Sequence, residues 1–439
     1  MTPPAVVDHR TRVDGSWSAV PILLSHAVRV AAYRLRPKAF PLFRLSARQG
    51  GFLRTVQIRR ELHLAKVVRM GRRSFFFLSK PAWPSKAYDR MAAQGGLNAG
   101  AAGTPLKQHL DMAILAITGR CSLACQHCYE RANIGTTDAV PLDTWRTVIG
   151  RLQRMGTGVI VLSGGEPMLA YDKTLELVRG ADKDQSDVHV HTSGRGVTVE
   201  RARELRAAGL MAAGVGLDDA DAGRHNRLRG SPASFDEALS ALSAFHAAGV
   251  FTYTNTCLTP EFVRSGGFWE LLNLTRELGV GAVRLLEPKP CGGYSGASPD
   301  ALFSSSDRAA VTAMFIEANT AWRHRHLPLV AYEAYFESPD KMGCSMGGLS
   351  FFSIDSKGNV IPCVFLPVSF GNILDEDIRA IYERMRAAVP RPLHRECPAS
   401  SLAGTIAENS ADGASLPVQV ERLGKTWPAL WESDGPPVV

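Results

Sequence analysis

No apolar run in this 439-residue chain is long enough to cross a bilayer, although 45% of its residues are hydrophobic. The start, Met1-Thr2-Pro3-Pro4, lacks the basic-then-apolar layout of a secretory signal, so a cytoplasmic location is the expectation. Acidic residues are scarce at one end. Residues 1–80 hold 3 Asp or Glu against 16 Lys or Arg, a net +13. The remainder holds 39 against 34, a net −5, so the overall +8 belongs to the N-terminal segment and not to the body. No recognised nucleic-acid-binding motif accompanies the charge, which sets nucleic acid aside as a partner. Three options remain: peripheral contact with an anionic membrane, an acidic partner, or a solvated face packed on the body, the last being preferred. No segment reads as a peptide-leader-binding domain. Cysteine is sparse, at eight residues, and without an export signal these do not read as a disulfide framework. Metal or redox use fits better.

The length suits two or three domains at ~100–200 residues each. Residues 1–108 form the basic segment, with helices expected over 22–36 and 55–70, a short strand over 74–78 and a linker over 94–105. In the first helix Leu24, Val28, Ala31 and Leu35 share a face. From residue 111 a regular alternation begins. Strands are expected at 112–118, 159–162, 188–192, 211–217, 251–257 and 282–286, with helical patterns between them. Alternation of this kind marks the α/β class with a parallel sheet. Six units rather than eight give an open, partial (βα)6 barrel over residues 109–300, with chemistry at the C-terminal ends of its strands. Residues 301–400 differ: helices are expected over 307–324 and 375–388. Phe351–Ile354 and Val360–Cys363 flank Asp355-Ser356-Lys357-Gly358-Asn359, a hairpin signal. The tail, 401–439, is rich in small residues and expected to be loosely ordered, with Trp427 and Trp431 available to dock.

The first strand is followed by Cys121-Ser-Leu-Ala-Cys125-Gln-His-Cys128. A cubane iron–sulfur cluster has four irons and takes thiolates as its usual ligands. Three thiolates in one loop leave one iron open to an external ligand. The alternative is structural zinc, which prefers four protein ligands in paired units, and His127 is trapped between two ligating positions. Ser163-Gly164-Gly165-Glu166-Pro167 follows the second strand; glycines allow close backbone approach, and a carboxylate balances an ammonium. His191-Thr192-Ser193-Gly194 follows the third strand and Gly216-Leu217-Asp218-Asp219 the fourth. Glu287-Pro288-Lys289-Pro290-Cys291 follows the sixth, which puts Cys291 at the barrel mouth.

Over about residues 108–398 these motifs resemble the radical S-adenosylmethionine superfamily. Its hallmark is Cys-x3-Cys-x-aromatic-Cys after the first strand, with His127 here in the aromatic position. The resemblance implies a [4Fe–4S] cluster on Cys121, Cys125 and Cys128, whose open iron chelates S-adenosylmethionine. One electron then breaks a sulfonium C–S bond, and the resulting 5′-deoxyadenosyl radical takes hydrogen from a substrate. Gly164, Gly165, Glu166 and Pro167 match the loop that meets the methionine amino group. Ser193 is a candidate contact to the ribose or methionine portion. Arg229 matches a cofactor-binding arginine, with Arg227 as its close alternative. Gly216 stands where relatives have serine, and Asp218 is the candidate to compensate. Cys291 is a candidate catalytic hydrogen donor to a substrate radical, or a ligand of a second cluster. Cys344, Cys363 and Cys397 resemble a reduced SPASM or Twitch extension and imply one auxiliary [4Fe–4S] cluster. Ser400 replaces the usual partner of Cys397, so the fourth iron falls to Cys291, an oxygen ligand or the substrate. The implied function is a radical enzyme of oxidative, epimerising or cross-linking type, acting on a peptide or small metabolite. Its electron donor would be a flavodoxin or ferredoxin. The alternative is a non-catalytic iron–sulfur or zinc-binding interaction protein.

Overall fold

Met112-Ala-Ile-Leu-Ala-Ile-Thr118 is buried along its whole length. A strand buried on both faces needs helices on one side and a filled interior on the other. The computed structural model, which describes residues 11–14, 59–94, 110–411 and 416–432, supplies both. Its strands are β1 (Thr11–Asp14), β2 (Val67–Met70), β3 (Arg73–Phe75), β4 (Met112–Thr118), β5 (Val159–Gly164), β6 (Asp187–Thr192) and β7 (Leu210–Gly216). They continue as β8 (Phe251–Cys257), β9 (Ala282–Leu286), β10 (Leu329–Tyr332), β11 (Phe351–Ile354), β12 (Val360–Ile361), β13 (Val368–Ser369) and β14 (Val418–Gln419). Strands β4 to β9 lie side by side in sequence order, all parallel. The helices Leu142–Arg154, Tyr171–Gly180, Val199–Ala207, Ser234–Ala247 and Gly267–Glu277 return the chain between them. This is the expected partial α/β barrel.

The sheet extends beyond six strands. β10 adds in parallel to β9, and β11 adds in parallel to β4, with β12 antiparallel outside it. The hairpin is where the turn sequence places it, but local sequence says nothing of its second partner. Alternation sorts the side chains. Ala113, Leu115 and Ile117 of β4 join the large core under the helices, while Met112 and Ile114 pack with Val159 and Val161 of β5 on the other face.

The N-terminal segment departs from expectation. The helix expected over 55–70 is not continuous: residues 59–61 are helical, but Val67–Met70 is β2, paired antiparallel with β1 and β3. The β-branched pair Val67-Val68 favours a strand once partners exist: β3 follows it across a tight turn, and β1 comes from more than fifty residues earlier. The helix expected over 22–36 and nearly all of the expected linker lie outside the described residues. Residues 66–82 pack against the N-terminal ends of the barrel strands. Lys80 pairs with Asp111 at 2.9 Å, and the Asp187 carboxylate accepts from Ala82 N at 2.7 Å. Lys66 Nζ donates to the carbonyls of Leu327 and Pro328, and Phe75 stacks on Phe251 at 3.7 Å. This part of the basic segment therefore packs on the body, at the end opposite the strand C-termini. No helix among the described residues is long and apolar enough to cross a membrane.

The described residues of the tail, 401–411 and 416–432, are more ordered than its composition suggests. Trp427 and Trp431 are buried, and their indole N–H groups donate to the carbonyls of Ala388 and Arg391 at 3.0 and 2.9 Å. Two large side chains fix a segment that small residues alone would leave loose.

Candidate active site

The loop after β4 brings Cys121, Cys125 and Cys128 to one wall of a cavity of about 330 Å³ that runs through the barrel from the C-terminal ends of its strands to Leu64, Phe77 and Lys80 at the other end. All three are free thiols. Burial, then the neighbouring Cys125, pushes the Cys128 thiol up to about 12. Among the described residues no three His, Cys, Asp or Glu side chains are grouped as one metal ion requires. Three thiols are one ligand short of a structural zinc site, whereas a cubane sets each thiolate on a different iron. Burial lowers His127 to about 4, so this ring is neutral at pH 7, and its Nδ1 is buried without a partner. Sequence reasoning missed Asp138, which pins the start of the loop. It accepts from Thr118 Oγ1 at 2.8 Å and Gly119 N at 3.0 Å, and pairs with Lys173 at 2.7 Å.

The turn after β5 lies directly on this loop. Gly165 N donates to Thr118 O at 2.8 Å, and Glu166 N to Arg120 O at 2.7 Å. A Cβ on Gly165 would sit 2.3 Å from Arg120 O, a backbone atom that cannot yield, so only glycine fits. Gly164 and Gly165 line the cavity; Glu166 and Pro167 do not. The Glu166 carboxylate is fully occupied by the protein. It accepts from Met168 N, Thr192 Oγ1, Ser193 N and Ser193 Oγ, tying the β5 turn to the β6 turn. The expected ammonium-balancing carboxylate is thus a brace between loops. Ser193 lines the cavity, but its hydroxyl is spent on the same carboxylate.

Asp218 and Arg229 form a buried, two-point pair, Nε to Oδ2 at 2.6 Å and one terminal nitrogen to Oδ1 at 3.1 Å. Gly216 explains its own place in the motif. A Cβ there would lie 2.3 Å from the Arg229 guanidinium, which fills the space a serine side chain would take. Arg227, the alternative, is exposed and pairs only loosely with Glu261 at 3.4 Å. Burial by itself would raise the Asp218 pKa, but Arg229 and then His127 hold it far below the usual carboxylate range. Removing the charge with Asp218→Asn leaves Arg229 buried and unpaired, at an expected cost of about 3–5 kcal/mol in urea unfolding. An unfolded Asp titrates near ~3.9. Because the folded value is depressed, the pair's stabilisation is complete above that pH and lost as pH falls below it. The gap between wild type and variant is expected to narrow in acid.

The segment after β9 also folds onto the cysteine loop. Gly293 N donates to Cys128 O at 2.8 Å, and a Cβ on Gly293 would meet Gln126 O at 2.0 Å. This places Cys291 between two groups of thiols. Burial, then Cys397, pushes Cys291 up to about 12, with Cys128 also contributing. Cys363 is raised by burial, then by Cys397, with Cys291 contributing, and Cys344 by burial, then by Glu337, Cys397 and Cys363. Two backbone bonds between Cys344 and Leu393 draw the Cys344 and Cys397 segments together. Cys291, Cys344, Cys363 and Cys397 thus form one neighbourhood. Cys257, at the end of β8, is buried beside Asp218.

The cavity has two unlike walls. Met112, Ile114, Phe351 and Val364 make an apolar one. Opposite stand His191, bonded to Tyr253 at 2.8 Å, then Asn255, and Arg284 paired with Glu333 at 2.7 Å. Sequence reasoning passed over Arg284, although a charge inside the apolar strand Ala-Val-Arg-Leu-Leu was a signal; Glu333 gave none.

Residues 115–265 match the Radical SAM superfamily, and residues 344–399 match SPASM, an iron-sulfur cluster-binding domain. The chain carries a radical SAM domain. Its C-terminal region is a SPASM extension, and its cofactors are a [4Fe–4S] cluster, S-adenosylmethionine and auxiliary iron–sulfur. This radical SAM enzyme is 24% identical over 286 residues to an AdoMet-dependent heme synthase of Nitratidesulfovibrio vulgaris, covering 61% of this chain and 77% of that one. It is 26% identical over 279 residues to a PqqA peptide cyclase of Gluconobacter oxydans, covering 62% and 76%. Among solved structures, Streptococcus suis SuiB bound to precursor peptide SuiA shares the fold, with TM-score 0.53 and 16% identity over 63% of this chain and 65% of SuiB.

Proposed function

We propose that Cys121, Cys125 and Cys128 hold the [4Fe–4S] cluster that receives S-adenosylmethionine, and that Cys291, Cys344, Cys363 and Cys397 hold one auxiliary cluster. The observation that carries the reading is three free thiols in one loop, facing a cavity whose next wall is the Gly164-Gly165 turn laid on that loop. The donor set fits: three thiols on one loop, none of them in a disulfide. Bound there, the reduced cluster and S-adenosylmethionine supply a 5′-deoxyadenosyl radical that takes hydrogen from a peptide or small-metabolite substrate.

The protein's own part is positioning and water exclusion. Asp218 occupies one edge of the Arg229 guanidinium and fixes its plane, and the remaining terminal nitrogen would be available to a ligand carboxylate. Glu166 holds the turns after β5 and β6 in register, so that backbone rather than carboxylate meets the cofactor. The apolar wall keeps water from the reacting atoms. Reading the fourth auxiliary ligand as Cys291 gives that thiol a ligating role in place of hydrogen donation. Electrons would come from a flavodoxin or ferredoxin. Anaerobic reconstitution with iron and sulfide is expected to give about eight irons per chain, two four-iron clusters, and 5′-deoxyadenosine on adding dithionite. Cluster-loaded protein that binds S-adenosylmethionine and releases none would refute the reading.

A further inference from the structure

The polar wall contains a cation that the protein does not fully use. Arg284 sits on β9 with its side chain only 13% exposed and faces the cavity. A guanidinium offers five N–H donors. Here Nε donates to Glu333 Oε1 at 2.7 Å, and no other hydrogen bond engages the group among the described residues. Glu333 holds the guanidinium from one side and leaves its outer edge toward the cavity. Directly across the β8–β9 ladder is Asn255, whose amide oxygen is buried without a partner. Asn255 lines the cavity beside Arg284, and its amide N–H2 is a donor available to a ligand there. Of the other cations lining the cavity, Lys289 binds Glu287, Lys80 pairs with Asp111, and Arg229 is held on one edge by Asp218. Glu337 also lines the cavity, within electrostatic reach of Arg284 and Lys289. The opposing wall is Met112, Ile114, Phe351 and Val364.

We propose that Arg284, with Asn255 beside it, binds a carboxylate on the substrate, so that the substrate is a molecule with an apolar body and a carboxylate end. The inference rests on the radical SAM reading of the same cavity. An unused guanidinium edge in a site screened from water binds a planar carboxylate through paired, charge-assisted hydrogen bonds. Glu333 is a positioning residue: it fixes the plane of the fork. The apolar wall takes the rest of the molecule and sets its reacting C–H toward the cysteine loop.

The test uses anaerobic cluster-loaded protein with S-adenosylmethionine bound, probed by saturation-transfer NMR with benzoate and with benzamide, its neutral isostere. Benzoate is expected to bind at least about tenfold more tightly than benzamide. In Arg284→Met the ratio of the two affinities is expected to fall to about one. In Asn255→Asp, a near-isosteric change that sets a negative charge against the ligand, it is expected to fall at least about threefold. A wild-type ratio near one overturns the proposal, as does an Arg284→Met protein that keeps the ratio. If Arg284→Met binds neither probe, Asn255→Asp decides, and an unchanged ratio there overturns it. Loss of S-adenosylmethionine affinity in Arg284→Met by the same factor as benzoate also overturns it, by assigning Arg284 to the cofactor. Release of 5′-deoxyadenosine by the wild type separates the two readings. Discrimination without release defeats the radical reading, and release without discrimination defeats only this subsite.

Discussion

Replacing Cys121 with Ala is expected to abolish 5′-deoxyadenosine release and to lower bound iron from about eight to about four per chain. The effect on folding should be small by contrast. Cys121 is only partly buried, and its sulfur takes one weak contact, from Leu123 N at 3.5 Å. Truncating a side chain at such a site changes stability by about 0.5 kcal/mol or less. The loop around it is held by other groups: Asp138 at its start, Gly165 and Glu166 N against its backbone, and the Gln126 N to Leu228 O bond at 2.9 Å. Chemistry and fold therefore separate at this residue. Iron analysis, circular dichroism and chromatography of 5′-deoxyadenosine on the same sample check all three parts. Release at the wild-type rate would remove Cys121 from the cluster.

Replacing Cys291 with Ala is expected to remove the other four irons, and Cys344→Ala to do the same. The two residues are far apart in the chain, yet both sit in one thiol neighbourhood with Cys363 and Cys397. A thiol that only passes hydrogen to a substrate radical would leave the iron count at eight after substitution. Iron content thus decides between the roles open to Cys291, before any substrate is known. The four thiols lie on separate segments: the turn after β9, the start of the SPASM region, the end of its hairpin, and the Cys397 turn. A cluster joining them would contribute folding energy, so both variants are also expected to unfold at lower temperature than wild type. An unchanged iron count in Cys291→Ala, with four irons lost in Cys344→Ala, would return Cys291 to the hydrogen-donor role.

By itself the sequence determined the six βα units, the cysteine loop after the first strand and the hairpin at 351–361. Each is set by local periodicity, or by residues within about ten positions of one another, which one chain segment displays in full. It also marked Gly164, Gly165 and Arg229, because close approach and a bidentate fork need particular residue types. Tertiary structure alone decided what those residues touch. Glu166 reads as an ammonium partner until Thr192 and Ser193, more than twenty positions on, take up its oxygens. Gly216 reads as a missing serine until Arg229 fills its space from the end of the next helix. Val67–Met70 reads as helix until β1 and β3 flank it. Arg284 and Glu333 meet only because β10 joins the sheet beside β9. A buried charge is held by whichever partner the fold brings across from another strand, and spacing along the chain carries no record of that.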